Sequence, residues 1–387
     1  MNAKASTKRK SSQGPLCIWQ GTDFPTWIKL LASRPPMDWT QSLRLALVTG
    51  LSLNNSVMGV LESLIYGGRV RRTELVGDPV FIIGHWRSGT TLLHNLLSLD
   101  PQFVTPNLYQ VLAPHHFLLT ESLVTRLTQS LVPKTRPMDN MELSWNAPQE
   151  DETALANMTL LSPYVMLAHQ GNRPKYVRFF DLHDLSPREL ARWKNALLLL
   201  MKKLTVKTGK TILLKSPTHS YRVRLLLEMF PRARFINIVR NPYAVFKSTI
   251  HLRRTLFEEN GLGRPIIEES EEEVCLNYEH LFRVFEEDRG LIPASQFHEL
   301  RFEDLELDPV GEIQKVYTAL HMHGFDRVEP QITAQLESLR KYRKNEFEME
   351  EGLKRWVFER LRPAFERYGY PSGLIEAAVT DSLNPAP

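Results

Sequence analysis

The chain reads as an α/β protein, a mostly parallel central sheet flanked by helices with its ligand site at the strand ends. Two observations predict this. Short apolar segments rich in β-branched residues recur near 80–84, 211–215, 234–239 and 296–302, separated by stretches of helical periodicity. That alternation is the signature of βαβ units and a parallel sheet. The first of these strands also ends in a turn of glycine, arginine and hydroxyl residues, GHWRSGTT (84–91), which leads straight into a helix. No GxGxxG follows a strand, so a dinucleotide-binding Rossmann unit is disfavoured.

Composition sets the frame. The 387 residues, 42% hydrophobic and 24% charged, suit one large α/β domain with additions. A formal charge of +4 and a pI near 8.9 favour polyanionic ligands. No basic stripe with interleaved aromatics appears, so nucleic acid is not an expected partner. The two cysteines, Cys17 and Cys275, are far apart and predict no disulfide framework; a cytoplasmic location is the expectation. The twelve histidines lack zinc-site spacing, and no metal is expected.

At the N-terminus, residues 1–14 are polar and basic with no apolar core behind them, which predicts a disordered tail rather than a secretory signal. Residues 15–78 read as a helical segment. Within it Leu45–Leu61 is uncharged, interrupted by Gly50, Asn54, Asn55 and Ser56, and closed by Glu62. It is short for a span of about 20 residues. A buried or interfacial helix is expected, with peripheral membrane contact through 43–66 left open. The main domain is placed at 79–370 and a C-terminal tail at 371–387.

The stretch 81–97, FIIGHWRSGTTLLHNLL, reads as strand, anion-binding turn and helix. Gly84 and Gly89 permit the close backbone approach that a phosphate needs. The amides of Ser88, Gly89, Thr90 and Thr91 would face an anion from a helix N-terminus. The spacing Gly84-x4-Gly89 matches a P-loop, but Thr90 stands where a nucleotide triphosphatase has lysine. Arg87 supplies the cation instead.

Two further stretches carry charge at strand ends. In RFINIVRNPYAVFKSTI (234–250) a strand is followed by Arg240, the turn Asn241-Pro242, and a helix bearing Ser248. In LKSPTH (214–219) Lys215 closes a strand, with Ser216 as helix N-cap and Pro217 at the first helical position.

With these residues the chain resembles the sulfotransferase family, from about Pro79 to about Tyr370. The resemblance implies a P-loop-like sulfotransferase fold and 3′-phosphoadenosine 5′-phosphosulfate (PAPS) as co-substrate. It makes Arg87, Ser88, Gly89, Thr90 and Thr91 the 5′-phosphosulfate loop, Arg240 and Ser248 the 3′-phosphate site, and Lys215 catalytic. GHWRSGTT, RPMDNM (136–141) and PQEDETAL (148–155) look like one widespread branch. Trp86 replaces a proline common in relatives, and Phe302 replaces a tyrosine before FEDLELDP (302–309). RKYRKNEFEME (340–350) is basic enough to help close over PAPS, although solvated helix surface is the stronger reading of it. A P-loop kinase or NTPase is the runner-up, opposed by the missing Gly-Lys-Ser/Thr. A nonenzymatic nucleotide-binding scaffold is the third reading.

In-line sulfuryl transfer to a hydroxyl or amine needs a base within reach of the acceptor. The candidates are Glu150, Asp151 and Glu152 in PQEDETAL and His115 and His116 in APHHFL. Pro148 followed by three acids is also an ordinary helix start. Glu150 is favoured, with His115 second. EESEEE (268–273) reads as an acidic first helical turn, and Val274, Tyr278, Leu281, Phe282 and Phe285 as a core stripe behind it. Carbohydrate, lipid, peptide and phenol all stay open as acceptors.

Overall fold

A computed structural model describes residues 17–132, 144–263, 270–339 and 349–374. The basic tail, RPMDNM and most of RKYRKNEFEME and of the C-terminal tail lie outside the described residues.

Five strands form one all-parallel sheet: β1 (Val80–Ile83), β2 (Phe103–Val104), β3 (Thr211–Lys215), β4 (Arg234–Val239) and β5 (Phe297–Arg301). Their order is β2-β3-β1-β4-β5. Phe81 of β1 lies opposite Leu214 on one side and Phe235 on the other. Every residue of β1 is buried. A central parallel strand is covered on both faces, so it reads as a continuous apolar run rather than an alternating one.

Odd and even positions of β1 feed two different cores. Phe81 and Ile83 pack with helix Pro187–Thr208, through Trp193, Leu197 and Leu204, and with helix Asp151–Thr159, through Leu155. Val80 and Ile82 pack with Leu93, Leu96 and Leu97 of helix Thr90–Leu97 and with Ile313 and Val316 of helix Pro309–Ala319. A third cluster joins helices Pro242–Asn260, Ser270–Arg289 and Glu351–Tyr368, and contains Val274, Cys275 and Tyr278. Both cysteines are free and buried.

From β1 the chain runs to β2 and then β3 on one side, and crosses to β4 on the other. The loops after β1, β3 and β4 therefore meet at neighbouring carboxyl ends, where an open α/β sheet binds ligands. Ser216 departs from its expected role. A 3-10 turn, Pro217–Tyr221, follows β3, and the Ser216 hydroxyl donates to Asp151 rather than capping a helix. The apolar segment 45–61 lies inside one long helix, Ser42–Arg72. That helix turns Arg44, Ser52, Asn55 and Glu62 inward and leaves most of its leucines exposed.

Candidate active site at the carboxyl ends of the strands

The loop after β1 is built from left-handed backbone. Gly84 has φ +138°, Arg87 φ +68° and Gly89 φ +106°. A side chain on Gly84 would meet the carbonyl of Ile238, and one on Gly89 would meet the ring of Phe302. Glycine is required at both places by space as well as by dihedral angle. The Gly84 amide donates to Ser220 Oγ at 2.8 Å, which fixes the loop to the turn after β3. Gly89 stands as N-cap of helix Thr90–Leu97. The positive end of that helix and its free amides thus point at the strand ends.

Arg87, Arg240 and Ser248 come together. Arg87 Nε donates to Ser248 Oγ at 2.7 Å, and Arg240 donates to the Arg87 carbonyl at 3.1 Å. The Arg240 guanidinium lies over the Phe302 ring, 4.2 Å from its centroid. Phe302 therefore contributes a face where a tyrosine would add a hydroxyl. Glu303, next in FEDLELDP, accepts from the Asn241 amide at 3.1 Å and so braces the turn after β4.

Lys215 ends β3 almost wholly buried, and its Nζ donates to Glu150 Oε1 at 2.7 Å. The same ammonium lies 3.5 Å from Thr91 Oγ1. The other carboxylate oxygen, Oε2, accepts from the Tyr164 hydroxyl. Burial, then the Glu150 charge, holds that phenol well above its ordinary range, so Tyr164 stays a donor.

The three adjacent acids have separate fates. Asp151 accepts from Ser216 Oγ at 2.9 Å and pairs with His219 Nε2 at 2.8 Å, all fully buried. Burial alone would push its carboxyl up; the facing His219 and the hydrogen bonds overcome this and hold it below the usual carboxylate value. Glu152 takes two bonds from Arg222, at 2.6 and 3.2 Å, and one from Thr218 at 2.7 Å. Of the three, Glu150 lines the cavity described below; Asp151 and Glu152 bolt helix Asp151–Thr159 to the turn after β3.

His115 is not among the cavity-lining residues. Its Cβ packs at Gly59 of the long helix. His116 does line the cavity, but its ring is committed: Nε2 bonds Asn55 Oδ1 at 3.0 Å and Nδ1 bonds Thr120 Oγ1 at 2.8 Å. The Asn55 amide nitrogen donates to the carbonyls of Gln20 and Thr22, so its oxygen is the acceptor and Nε2 carries the proton. Burial, with help from His115 and Lys203, lowers His116 to about 4.

These groups open into one cavity of about 1570 Å³. Arg87, Thr90, Thr91, Lys215, Arg240 and Ser248 line it with positive charge and hydroxyls. Leu51, Met58, Val111, Leu112, Val124 and Leu252 line it with apolar surface. The Ser88 side chain is not among the lining groups; it is buried behind the loop beside Gly84. Tyr164 is the site residue that motif reading missed, because SPY (162–164) carries no spacing signal. The arrangement can hold a doubly charged anion at two points and offer a carboxylate base beside a buried cation.

Comparison with known proteins fits this geometry. Residues 79–327 match the Sulfotransferase family. The chain is 39% identical over 362 residues to omega-hydroxy-beta-dihydromenaquinone-9 sulfotransferase Stf3 of Mycobacterium tuberculosis, covering 93% of each chain, and equally to that of Mycobacterium bovis. In structure it resembles sulfotransferase STF9 from Mycobacterium avium, with TM-score 0.69 and 16% identity over 89% of this chain and 92% of that one. It also resembles STF1 from Mycobacterium tuberculosis, with TM-score 0.59 and 17% identity over 89% and 94%.

Proposed function

The chain belongs to the sulfotransferase family, and from that premise we propose that it moves the sulfuryl group of PAPS in line to a hydroxyl of a lipid-like acceptor. One observation carries the reading. The Lys215–Glu150 pair lies on a cavity whose lining joins two anion-binding points to an extended apolar wall.

The residues present fit the donor. The loop amides, Arg87 and the N-terminus of helix Thr90–Leu97 suit a 5′-phosphosulfate. Arg240 and Ser248, bonded to Arg87 from the next strand and helix, suit a 3′-phosphate. Phe302 and Arg240 leave a flat stacked surface beside them. Thr90 in place of a P-loop lysine argues against a metal-bound γ-phosphate, so a kinase reading has no support at this loop.

In the reaction the acceptor oxygen forms a bond to sulfur as the bond from sulfur to the 5′-phosphate oxygen breaks. Glu150 takes the acceptor proton, and adenosine 3′,5′-bisphosphate leaves. Arg87, Lys215 and the loop amides stabilise the charge on the sulfuryl and bridging oxygens. Tyr164 holds Glu150 from the side opposite Lys215. The apolar lining favours an acceptor with a long hydrocarbon portion over a carbohydrate or a peptide. The name of the mycobacterial relative places sulfate on a hydroxylated menaquinone derivative, an acceptor of that class.

The test is transfer of labelled sulfate from PAPS into the lipid fraction and, separately, the aqueous fraction of a cell extract. Label in an organic-soluble product supports the reading. Label confined to sugars or peptides removes the lipid acceptor, and transfer of phosphate from ATP removes the sulfuryl donor.

A further inference from the structure

We propose that the outward face of helix Ser42–Arg72 rests in the plane of an anionic lipid bilayer and passes the acceptor sideways into the cavity. The acceptor's route rests on the lipid reading above; the docking surface is argued from the helix itself.

The helix is inside out. Its buried positions include Arg44, Asn55 and Glu62, while Leu64 is 78% exposed, Leu43 64%, Val60 61% and Val57 56%. Helical spacing of about 100° per residue sets these exposed residues on the side away from Arg44, Asn55 and Glu62. The reverse orientation is blocked by specific bonds. Glu62 forms a buried ion pair with Lys203 at 2.5 Å, and Arg44 donates to the Gly261 carbonyl at 2.7 Å. Turning the helix over would strand a buried, uncompensated charge on Lys203, so the leucines stay outside. A soluble surface rarely carries an apolar stripe of this length without a partner.

Three features select a bilayer as that partner. Trp39, 82% exposed, precedes the apolar face, and Arg69, Arg71 and Arg72 end it, all three exposed. An apolar face with an aromatic at one end and cations at the other fits the headgroup boundary. The patch is also continuous with the cavity: Leu51 and Asn54 are both exposed and cavity-lining. Finally, helix Phe117–Thr128 adds Leu123 and Leu127, 63% and 70% exposed, while its Thr120 and Val124 line the cavity.

The helix is long and apolar enough to cross a membrane by length and composition. Its contacts make it lie flat instead. Arg69 donates to the Val206 carbonyl and Lys202 to the Arg71 carbonyl, so one side is fastened along helix Pro187–Thr208.

The experiment is flotation of the full chain with vesicles of phosphatidylcholine, with and without phosphatidylglycerol. Wild type should float, and more completely with phosphatidylglycerol. The double change Val57→Asp, Leu64→Asp should reduce the floated fraction at least about tenfold. Its melting temperature and its calorimetric affinity for adenosine 3′,5′-bisphosphate should not move, since neither side chain lines the cavity. Leu291→Asp, an equally polar change at an exposed leucine elsewhere, should float as wild type does. Flotation of the double variant at the wild-type level overturns the proposal. So does a wild type that ignores vesicles but sediments as a dimer that the double variant breaks. Vesicle binding lost in the variant, with no lipid accepting sulfate, sustains the docking face and removes only the acceptor reading.

Discussion

Lys215 Nζ donates to Glu150 Oε1 at 2.7 Å across 65 residues of sequence. The candidate base and the candidate cation for the leaving oxygen are therefore one hydrogen-bonded unit. The same ammonium is within 3.5 Å of Thr91 in the loop after β1. A small rotation of the Lys215 side chain would shift its charge from the carboxylate toward the loop. One side chain, Lys215, thus touches both the candidate base and the loop after β1.

Glu150→Gln keeps shape and removes basicity. Turnover should fall about 10²–10⁴-fold, the range for loss of a general base, with affinity for adenosine 3′,5′-bisphosphate within a few-fold of wild type. His115→Gln should leave turnover nearly unchanged, because His115 does not line the cavity. A normal rate in Glu150→Gln together with a collapse in His115→Gln would transfer the role to the histidine.

Glu152→Gln tests the other side of the acid cluster. Glu152 is fully buried against Arg222, so the change leaves a buried guanidinium short of its counter-charge. Stability should drop by about 3–5 kcal/mol, read from urea unfolding. A variant that is stable but inactive would show that Glu152 acts in the chemistry rather than in holding the helix.

Arg87→Ala should lower transfer about 10²–10³-fold, as removal of a transition-state donor does. Arg240→Ala should weaken adenosine 3′,5′-bisphosphate by about 1.5–3 kcal/mol, the range for a charged hydrogen bond, and adenosine 5′-phosphosulfate much less. Because Ser248 bonds Arg87 directly, Ser248→Ala should disturb both ligands somewhat. Calorimetry giving equal losses for both ligands in Arg240→Ala would defeat the 3′-phosphate assignment.

Acid should destabilise the fold well before the carboxylates titrate. Burial lowers His85 and His116 to about 4, against an ordinary value of 6.5. The unfolded chain takes up these protons first. Their contribution is complete above about pH 6.5 and is lost as pH falls toward 4, up to about 3 kcal/mol for each ring. Asp151, held below its usual value, acts in the same direction at still lower pH. Urea midpoints at pH 7.5 and pH 5 check this; equal midpoints would contradict it.

Transfer should survive chelation. Arg87 and Lys215 supply cationic charge at the loop after β1, and the proposed transfer has no step on a divalent ion. Abolition by EDTA with recovery in magnesium would instead support the kinase-like alternative.

The α/β class, four of the five strands and the strand–turn–helix loop after β1 were legible in the sequence because each is set by residues close together. Gly84, Arg87 and Gly89 need left-handed backbone, and a short strand–turn–helix word encodes that locally. The spacing of Arg240 and Ser248 lies within one strand and its helix. β2 escaped notice because two residues carry no period.

Tertiary structure alone decided the rest. Glu150, Asp151 and Glu152 are consecutive at a helix start, where successive side chains diverge by about 100°. Their partners Lys215, His219 and Arg222 lie 65, 68 and 70 residues away, so packing chooses which acid faces the cavity. His115 and His116 are likewise adjacent, yet only His116 lines the cavity, and its ring is bonded to Asn55 on another helix. The long N-terminal helix makes the same point about surfaces. Its composition announces an apolar segment, but only the buried bonds of Arg44 and Glu62 determine that the leucines face outward. Local backbone preferences are written in neighbouring residues; the direction of a side chain is set by whatever distant group offsets the cost of burying it.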